Sequence, residues 1–251
     1  SSFFSFFLLD YLRYGVVSTG MPNLSNQPYI IEFDSQNSLV SSLVGSKSAS
    51  IADLIKNGTL VPPGFVIRAT AFDEFISSVK TEIAEILATV DVENASSAFE
   101  ASDAIGELLE SLPTPDGLED VIAARLDGSQ TAYAVRSSAT AEDLQDASFA
   151  GMYDTFLNTI GSESVMSRVR DVWTSYYAGR AISYRQQQGI PHGSGSMAVL
   201  VMELVDSEAG GVIFTRDPRD GTEQIIVNVA LGLGEGVVSG VAQSDSFTLD
   251  S

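Results

Sequence analysis

Arg136 heads the run Arg136-Ser137-Ser138-Ala139-Thr140-Ala141-Glu142-Asp143, in which one guanidinium precedes small and hydroxyl residues. A guanidinium is a rigid fork of donors, and hydroxyls with exposed backbone N–H groups can complete the coordination of phosphate oxygens. The same residue types also describe a polar turn whose serines cap a helix at Thr140-Ala141-Glu142-Asp143. A second cation, Lys47, stands in Gly45-Ser46-Lys47-Ser48, just before a predicted helix N-terminus where anions are already favoured. It is one of only three lysines, beside Lys56 and Lys80. Gly151, next to Phe149 and Ala150, either allows close backbone approach to a ligand or makes a turn.

Isolated cations matter here because the chain is strongly acidic, with 13 Lys+Arg against 33 Asp+Glu and a formal charge of −20. Nucleic acid is not expected as a partner, and any phosphate site must be local. With no cysteine, thiolate zinc sites, iron–sulfur clusters, disulfides and cysteine nucleophiles are excluded, and a reducing, cytoplasmic setting fits. His192 is the single histidine, in the loop-like Gly189-Ile190-Pro191-His192-Gly193-Ser194-Gly195-Ser196, where an exposed loop position is expected. No metal site is expected from the residues of this chain.

Two nucleotide motifs fail on spacing. A P-loop ending at Lys47 would need a glycine near Ser41, and the dinucleotide fingerprint would need one at Val237 after Gly232-Leu233-Gly234-Glu235-Gly236.

The elements that must position these residues follow from periodicity. Ile51, Leu54 and Ile55 predict a helix over 48–57 closed by Gly58, and Phe65-Val66-Ile67 predicts a strand after Pro62-Pro63-Gly64. Phe72, Phe75, Ile76, Val79, Ile83 and Ile86 predict a long helix to about Val90, capped by Thr70. Helices over 97–111 and 117–127 are separated by the turn Leu112-Pro113-Thr114-Pro115-Asp116-Gly117. Strands are predicted at 131–135, 155–158, 198–204, 211–215 and 224–229. A helical stretch at about 163–188 carries the core stripe Val165, Val169, Val172, Trp173 and Tyr176. At 251 residues and 44% hydrophobic content the chain has ample material for a core, and strands mixed with helices predict an α+β class. The apolar start, Ser1 to Asp10, is too short to span a bilayer and no Lys or Arg precedes it, so neither a membrane partner nor a signal peptide is expected. Residues 1–20 read as an N-terminal extension or an appended remnant, expected to be dispensable.

At the Arg136 run the sequence resembles the N-terminal nucleotide-binding domain shared by phosphoenolpyruvate synthase, pyruvate phosphate dikinase and rifampicin phosphotransferase. The resemblance also takes in Val44–Ser50, Val61–Phe65, Arg180–Arg185, Gly211–Pro218 and Gly232–Gly240, in the family's order across roughly residues 30–250. It implies a phosphotransferase with an ATP-grasp fold, in which ATP with Mg2+ passes phosphate to a histidine on a separate, swivelling domain in the same or another chain. His192 does not lie in the family's phosphohistidine motif. The implied division is a first subdomain with helical insertions over 21–195 and the start of a second over 196–251.

By position, the resemblance implies that Lys47 and Arg136 contact phosphate in the reaction, with Ser137 beside them, and that Gly151 and Thr155 contact nucleotide. It sets the strand 198–205 beside adenine, with backbone bonding from Glu203 and Leu204. Met202 stands where the family commonly has glutamine, and Ser46 replaces a usual glycine. Met202, Val199, Val201 and Leu204 equally suit a core strand. Glu235 approaches ribose or metal-bound phosphate, or is an ordinary exposed carboxylate. The resemblance stops at Ser251, before the family's acidic metal-ligand strand, so metal ligands are expected outside this chain and the piece alone is expected to be inactive. The alternatives are a non-catalytic nucleotide-binding module and a subunit of a split phosphotransferase.

Overall fold

The run Met197–Glu203 is apolar at all but its last position, and such a strand is stable only with both faces buried. In the computed structural model it lies at the centre of a five-stranded sheet. The structure describes residues 29–91, 94–126, 128–141, 143–144, 147–148 and 151–250; the extension expected at 1–20 lies outside them.

In chain order the elements are β1 (Ile30–Glu32), α1 (Ser41–Lys56), β2 (Gly64–Ile67), α2 (Ala69–Phe75), α3 (Lys80–Ala88), α4 (Ala95–Glu110), α5 (Leu118–Leu126), β3 (Ala132–Ala139), β4 (Asp143–Leu144) and β5 (Ala147–Ser148). There follow β6 (Thr155–Ile160), α6 (Ser162–Ser175), α7 (Gly179–Gln187), β7 (Met197–Glu203), β8 (Ala209–Phe214), β9 (Gln224–Leu231), α8 (Glu235–Val238) and β10 (Asp245–Asp250). Helices and strands are thus mixed without β–α alternation, an α+β arrangement.

The chain divides into two compact units, one ending at Leu204 and one beginning, among the described residues, at Val205. The larger contains the antiparallel sheet β1-β2-β7-β3-β6. Strand β7, placed by the sequence reading at the head of the second half, is hydrogen-bonded in the middle of this sheet.

Strand alternation gives the sheet two unlike faces. Phe65, Ile67, Val135, Val199 and Val201 pack with Phe72, Ile105, Leu118, Ile122, Trp173 and Ile182 from α2 and α4 to α7. The other face carries Ile31, Val66, Ala198, Leu200 and Met202, and it packs on α1 through Val44, Ala49, Ile51 and Ile55. The smaller unit is the antiparallel sheet β10-β9-β8 with α8. There Gly210 and Gly211 admit close backbone approach: an added Cβ would lie 2.3 Å from the Gly234 nitrogen and 2.2 Å from the Asn228 oxygen, respectively. Of the glycines that imitate a dinucleotide fingerprint, Gly234 is the one Gly210 packs against, while Gly232 takes a left-handed turn at φ 85°.

Several expectations are corrected. The helix expected over 70–90 is interrupted: α2 ends at Phe75, a 3-10 turn covers Ser77–Val79, and α3 follows. Phe72, Phe75, Ile76, Val79 and Ile83 are nonetheless all buried, because periodicity reports the buried face even where Ser77 and Ser78 favour a break. Arg68, not Thr70, is the N-cap of α2. The stretch 163–188 is two helices, separated where Ala178 turns extended at φ −58° and ψ 142°. After Ala139 the chain makes a turn and the small β4–β5 ladder, not a capped helix. His192 lies in a loop but is half-buried.

Candidate functional site

Helix α1 bends at Gly45, whose φ of 74° and ψ of 164° are non-helical, so a fresh helical turn starts at Ser46 and carries Lys47 in it. The bend is enforced by contact with β3. A Cβ on Gly45 would lie 1.9 Å from the Ser138 carbonyl oxygen, and the positive φ independently favours glycine. Ser138 Oγ donates to the Val44 carbonyl at 2.7 Å and accepts from the Ser48 N–H at 3.0 Å, with Ser48 Oγ also 3.0 Å away. A buried hydroxyl thereby satisfies one of the N–H groups left over at the new helix start. Next to this joint, Lys47 Nζ donates to the Ser137 carbonyl at 2.8 Å.

The lysine and the arginine run, ninety residues apart in sequence, are therefore brought together along β3. On β3, Arg136 pairs with Leu200 of β7 on one side and with Thr155 of β6 on the other. Directly paired residues share a face, so Arg136, Thr155 and Leu200 all lie on the α1 side of the sheet. Ala134 and Met202 are the next pair on that face, with Met202 buried. Ser137 pairs with Val199 and so directs its side chain to the opposite face; its contribution beside Lys47 is its carbonyl.

At the end of β7 the backbone N–H groups are committed. Glu203 donates to the Pro63 carbonyl and Leu204 to the Ala132 carbonyl, each at 2.8 Å. The Glu203 side chain is half-buried, and burial raises its carboxyl above the ordinary range. Gly151 is exposed in a left-handed turn at φ 73°, and an added Cβ there would meet nothing within 4 Å. The structure thus groups Lys47, Arg136, Thr155 and Met202 on one side of the larger unit, and gives Gly151 a turn conformation.

Glu235 belongs to the smaller unit, where it is the exposed first residue of α8. In the same unit the block Gly211–Pro218 ends in a locked loop. The Asp217 carboxylate accepts from the Arg219 guanidinium at 2.6 Å and 3.0 Å and from the Arg219 N–H at 2.8 Å. These bonds hold its pKa down to about 2. Asp217 is covered by its own loop rather than by depth in the protein.

Sequence reasoning singled out neither Ser138 as the α1–β3 link nor the roles of Arg180 and Arg185. The hydroxyl-rich run was the available signal for the first; for the second, the available signal was Arg185 sharing a helix face with the apolar Ala181 and Ile182. His192 Nδ1 accepts from Arg185 Nε at 3.2 Å, which keeps the imidazole neutral, and burial followed by the Arg185 charge lowers its pKa.

The match to known proteins covers these elements. The pyruvate phosphate dikinase AMP/ATP-binding domain matches residues 41–251. A probable phosphoenolpyruvate synthase of Methanothermobacter thermautotrophicus is 34% identical over 251 residues, covering 96% of this chain and 37% of that protein. One from Archaeoglobus fulgidus is 41% identical over 218 residues, covering 83% of this chain and 29% of its own length. A rifampicin phosphotransferase of Bacillus cereus is 33% identical over 225 residues, covering 87% of this chain and 26% of that protein. The chain thus spans well under half the length of these relatives. Because the domain match runs from the first residue of α1 through β10, and so includes the kinked helix and the strand it meets, the chain belongs to the AMP/ATP-binding domain family of pyruvate phosphate dikinase.

Proposed function

We propose that this chain is the ATP-binding part of a phosphoenolpyruvate synthase-type phosphotransferase with an ATP-grasp fold, passing phosphate to a histidine on a separate domain. The observation that carries this reading is the junction of Lys47 with the Arg136 strand, Nζ to the Ser137 carbonyl at 2.8 Å. In a chain of formal charge −20, two cations meeting along β3 beside a new helix start form a local exception suited to polyphosphate. The donor set fits ATP: an ammonium as a point charge, a guanidinium as a fork, and the Thr155 hydroxyl on the same face. Bound phosphate would take Lys47 Nζ away from, or share it with, the Ser137 carbonyl.

Adenine recognition by the backbone of Glu203 and Leu204 would run through their carbonyls. With the Glu203 and Leu204 N–H groups already bonded, the end of β7 offers acceptors, and adenine's amino group is the donor they suit. Magnesium is the usual companion of ATP in such chemistry. Among the described residues no three His, Asp or Glu side chains come together to hold a metal. His192 is not the phosphate acceptor in this reading, since its Nδ1 is bonded to Arg185.

The test is calorimetric titration of the folded chain with ATP and magnesium. Arg136→Ala and Lys47→Ala are each expected to remove charge-assisted bonds worth about 1.5–3 kcal/mol, roughly a ten- to hundredfold loss of affinity. Wild-type affinity in both variants would overturn the reading. A non-catalytic nucleotide-binding module is the second reading, favoured by Met202 at the family's glutamine position and by the committed N–H groups beside it. Binding of ATP by the full-length protein without phosphorylation of any histidine would select it.

A further inference from the structure

Met152, Tyr153 and Asp154 lie between Gly151 and Thr155, and each is held from outside the segment. Arg180 Nε donates to the Met152 carbonyl at 2.9 Å, and Arg180 Nη2 pairs with Asp154 Oδ1. The Asp154 N–H donates to Ser175 Oγ at 3.2 Å, and its carbonyl accepts from the Ser137 N–H at 3.3 Å. Tyr153 is stacked on Tyr176, with ring centroids 5.9 Å apart and planes 5° from parallel, and its hydroxyl accepts from Arg185 Nη1 at 3.3 Å.

Arg185 is the unusual member, only 1% exposed. Its remaining bonds are Nη2 to the Tyr176 carbonyl at 2.7 Å and Nε to His192, and its guanidinium lies 4.5 Å from the Tyr176 ring centroid. All three hydrogen-bond acceptors are neutral. Burying a guanidinium against neutral groups is costly, and an apolar side chain of similar volume often serves stability as well or better. The bonds of this buried cation fix three separate segments in place: Tyr153, the Tyr176 carbonyl and His192. What Arg180 and Arg185 jointly specify is the path from Gly151 into β6, whose first residue Thr155 is paired with Arg136.

We infer that Arg180 and Arg185 of α7 are positioning residues for the nucleotide polyphosphate: by clamping Met152–Asp154 they set Gly151 and Thr155 relative to Arg136. This rests on the reading of Arg136 as a phosphate ligand. It predicts that loosening the clamp weakens ATP binding while leaving the fold intact.

The test uses the folded chain, titrated with ATP and magnesium, and followed by amide hydrogen exchange. Arg180→Ala is expected to weaken ATP roughly five- to tenfold, with little change in melting temperature because a half-exposed pair contributes little to stability. Amides from Gly151 to Thr155 should exchange faster in the variant, and the slowing by ATP expected in wild type should be lost. Arg168→Ala is the matched control: Arg168 pairs with Asp171 on α6 at 47% and 42% side-chain exposure, against 49% and 42% for Arg180 and Asp154, and it lies over the Phe156 ring of β6 from the opposite face without bonding to Met152–Asp154. Its affinity should be unchanged. Arg180→Lys keeps the charge facing Asp154 but cannot supply both bonds, and should fall between wild type and Arg180→Ala. Should Arg180→Ala fail to fold, Arg180→Lys carries the test, and wild-type affinity with wild-type exchange in it overturns the inference. If Arg136→Ala weakens ATP while both Arg180 variants bind normally, the positioning role alone fails. If Arg136→Ala binds normally, the nucleotide reading fails and takes this inference with it.

Discussion

On one face of the five-stranded sheet, Val135, Val199 and Val201 lie beneath Phe72, Ile105, Trp173 and Ile182, and the covering helices run from α2 to α7. On the other face, Leu200 and Met202 meet α1 and the first residue of α2, Ala69, and the neighbouring strand β3 carries Arg136 and Ser138 in place of aliphatic residues. The first face is joined by burial of apolar surface, which tolerates small shifts. The second is joined by the close approach of Gly45 to the Ser138 carbonyl and by the bonds of Ser138 Oγ, which tolerate almost none. Strand β3 therefore uses one side for cohesion and the other for a cation, with the Thr155 hydroxyl of β6 beside it. The difference shows how a sheet can present charge without losing its core, because alternation sends Val135 and Arg136 in opposite directions.

Substitutions should separate the two faces. The largest effect on stability is expected at Trp173, which is fully buried between Phe72 and Phe75, with centroids 6.3 Å and 5.0 Å away. Trp173→Ala should cost about 3–5 kcal/mol of unfolding free energy, while ATP affinity of the molecules that remain folded is unchanged. A denaturation midpoint near wild type would show that the face is not the packed core described. Gly45→Ala should cost somewhat less, about 2–4 kcal/mol from left-handed strain and overlap with backbone. Unlike Trp173→Ala it should also weaken ATP, because Lys47 leaves the Ser137 carbonyl when α1 shifts. Affinity equal to wild type in Gly45→Ala would separate the helix joint from the cation site.

The smallest effect concerns pH. His192 is the single histidine, and its pKa is lowered in the folded chain. Its stability contribution is complete above the unfolded value of about 6.5. Stability then falls as pH drops below that value, since the unfolded chain binds the proton first, and the loss ends once pH passes the folded pKa. Protonation would also set an imidazolium against the Arg185 guanidinium and remove its acceptor. His192→Gln, compared with wild type across pH 7.5 to 5 by melting temperature, should abolish that part of the slope. The comparison between the two chains is needed because the raised carboxyls of Glu203 and Glu32 act in the opposite sense, gaining protons on the folded side as pH falls. Parallel curves for the two chains would mean that the imidazole is not held neutral.

Much of the element pattern was legible from local spacing. The stripe Val165, Val169, Val172, Trp173 and Tyr176 is buried as its period requires, and the strands around Arg136 and Met202 follow their apolar content. Lys47 was readable as a cation at a helix start, although the start is an internal bend rather than an end. The breaks at Ile76 and at Tyr176-Tyr177-Ala178 were not readable, because the apolar period continues through them while the backbone changes direction. In the second case the break leaves the Tyr176 carbonyl to Arg185, a residue nine positions ahead whose own partners come from two other segments.

By itself the sequence determined residue chemistry, period and the local preference of each segment: a lone lysine beside glycine, an arginine at a strand, a run of hydroxyls. Only the tertiary structure decided which of these meet. Whether Ser137 or Ser138 faces α1 depends on one residue of strand register, and whether the Glu203 and Leu204 N–H groups remain for a ligand depends on Pro63 and Ala132. Lys47 reaches the Ser137 carbonyl across ninety residues of intervening chain. No window of neighbouring residues encodes such pairings, because they are selected by the simultaneous packing of strands and helices on both sides of one sheet.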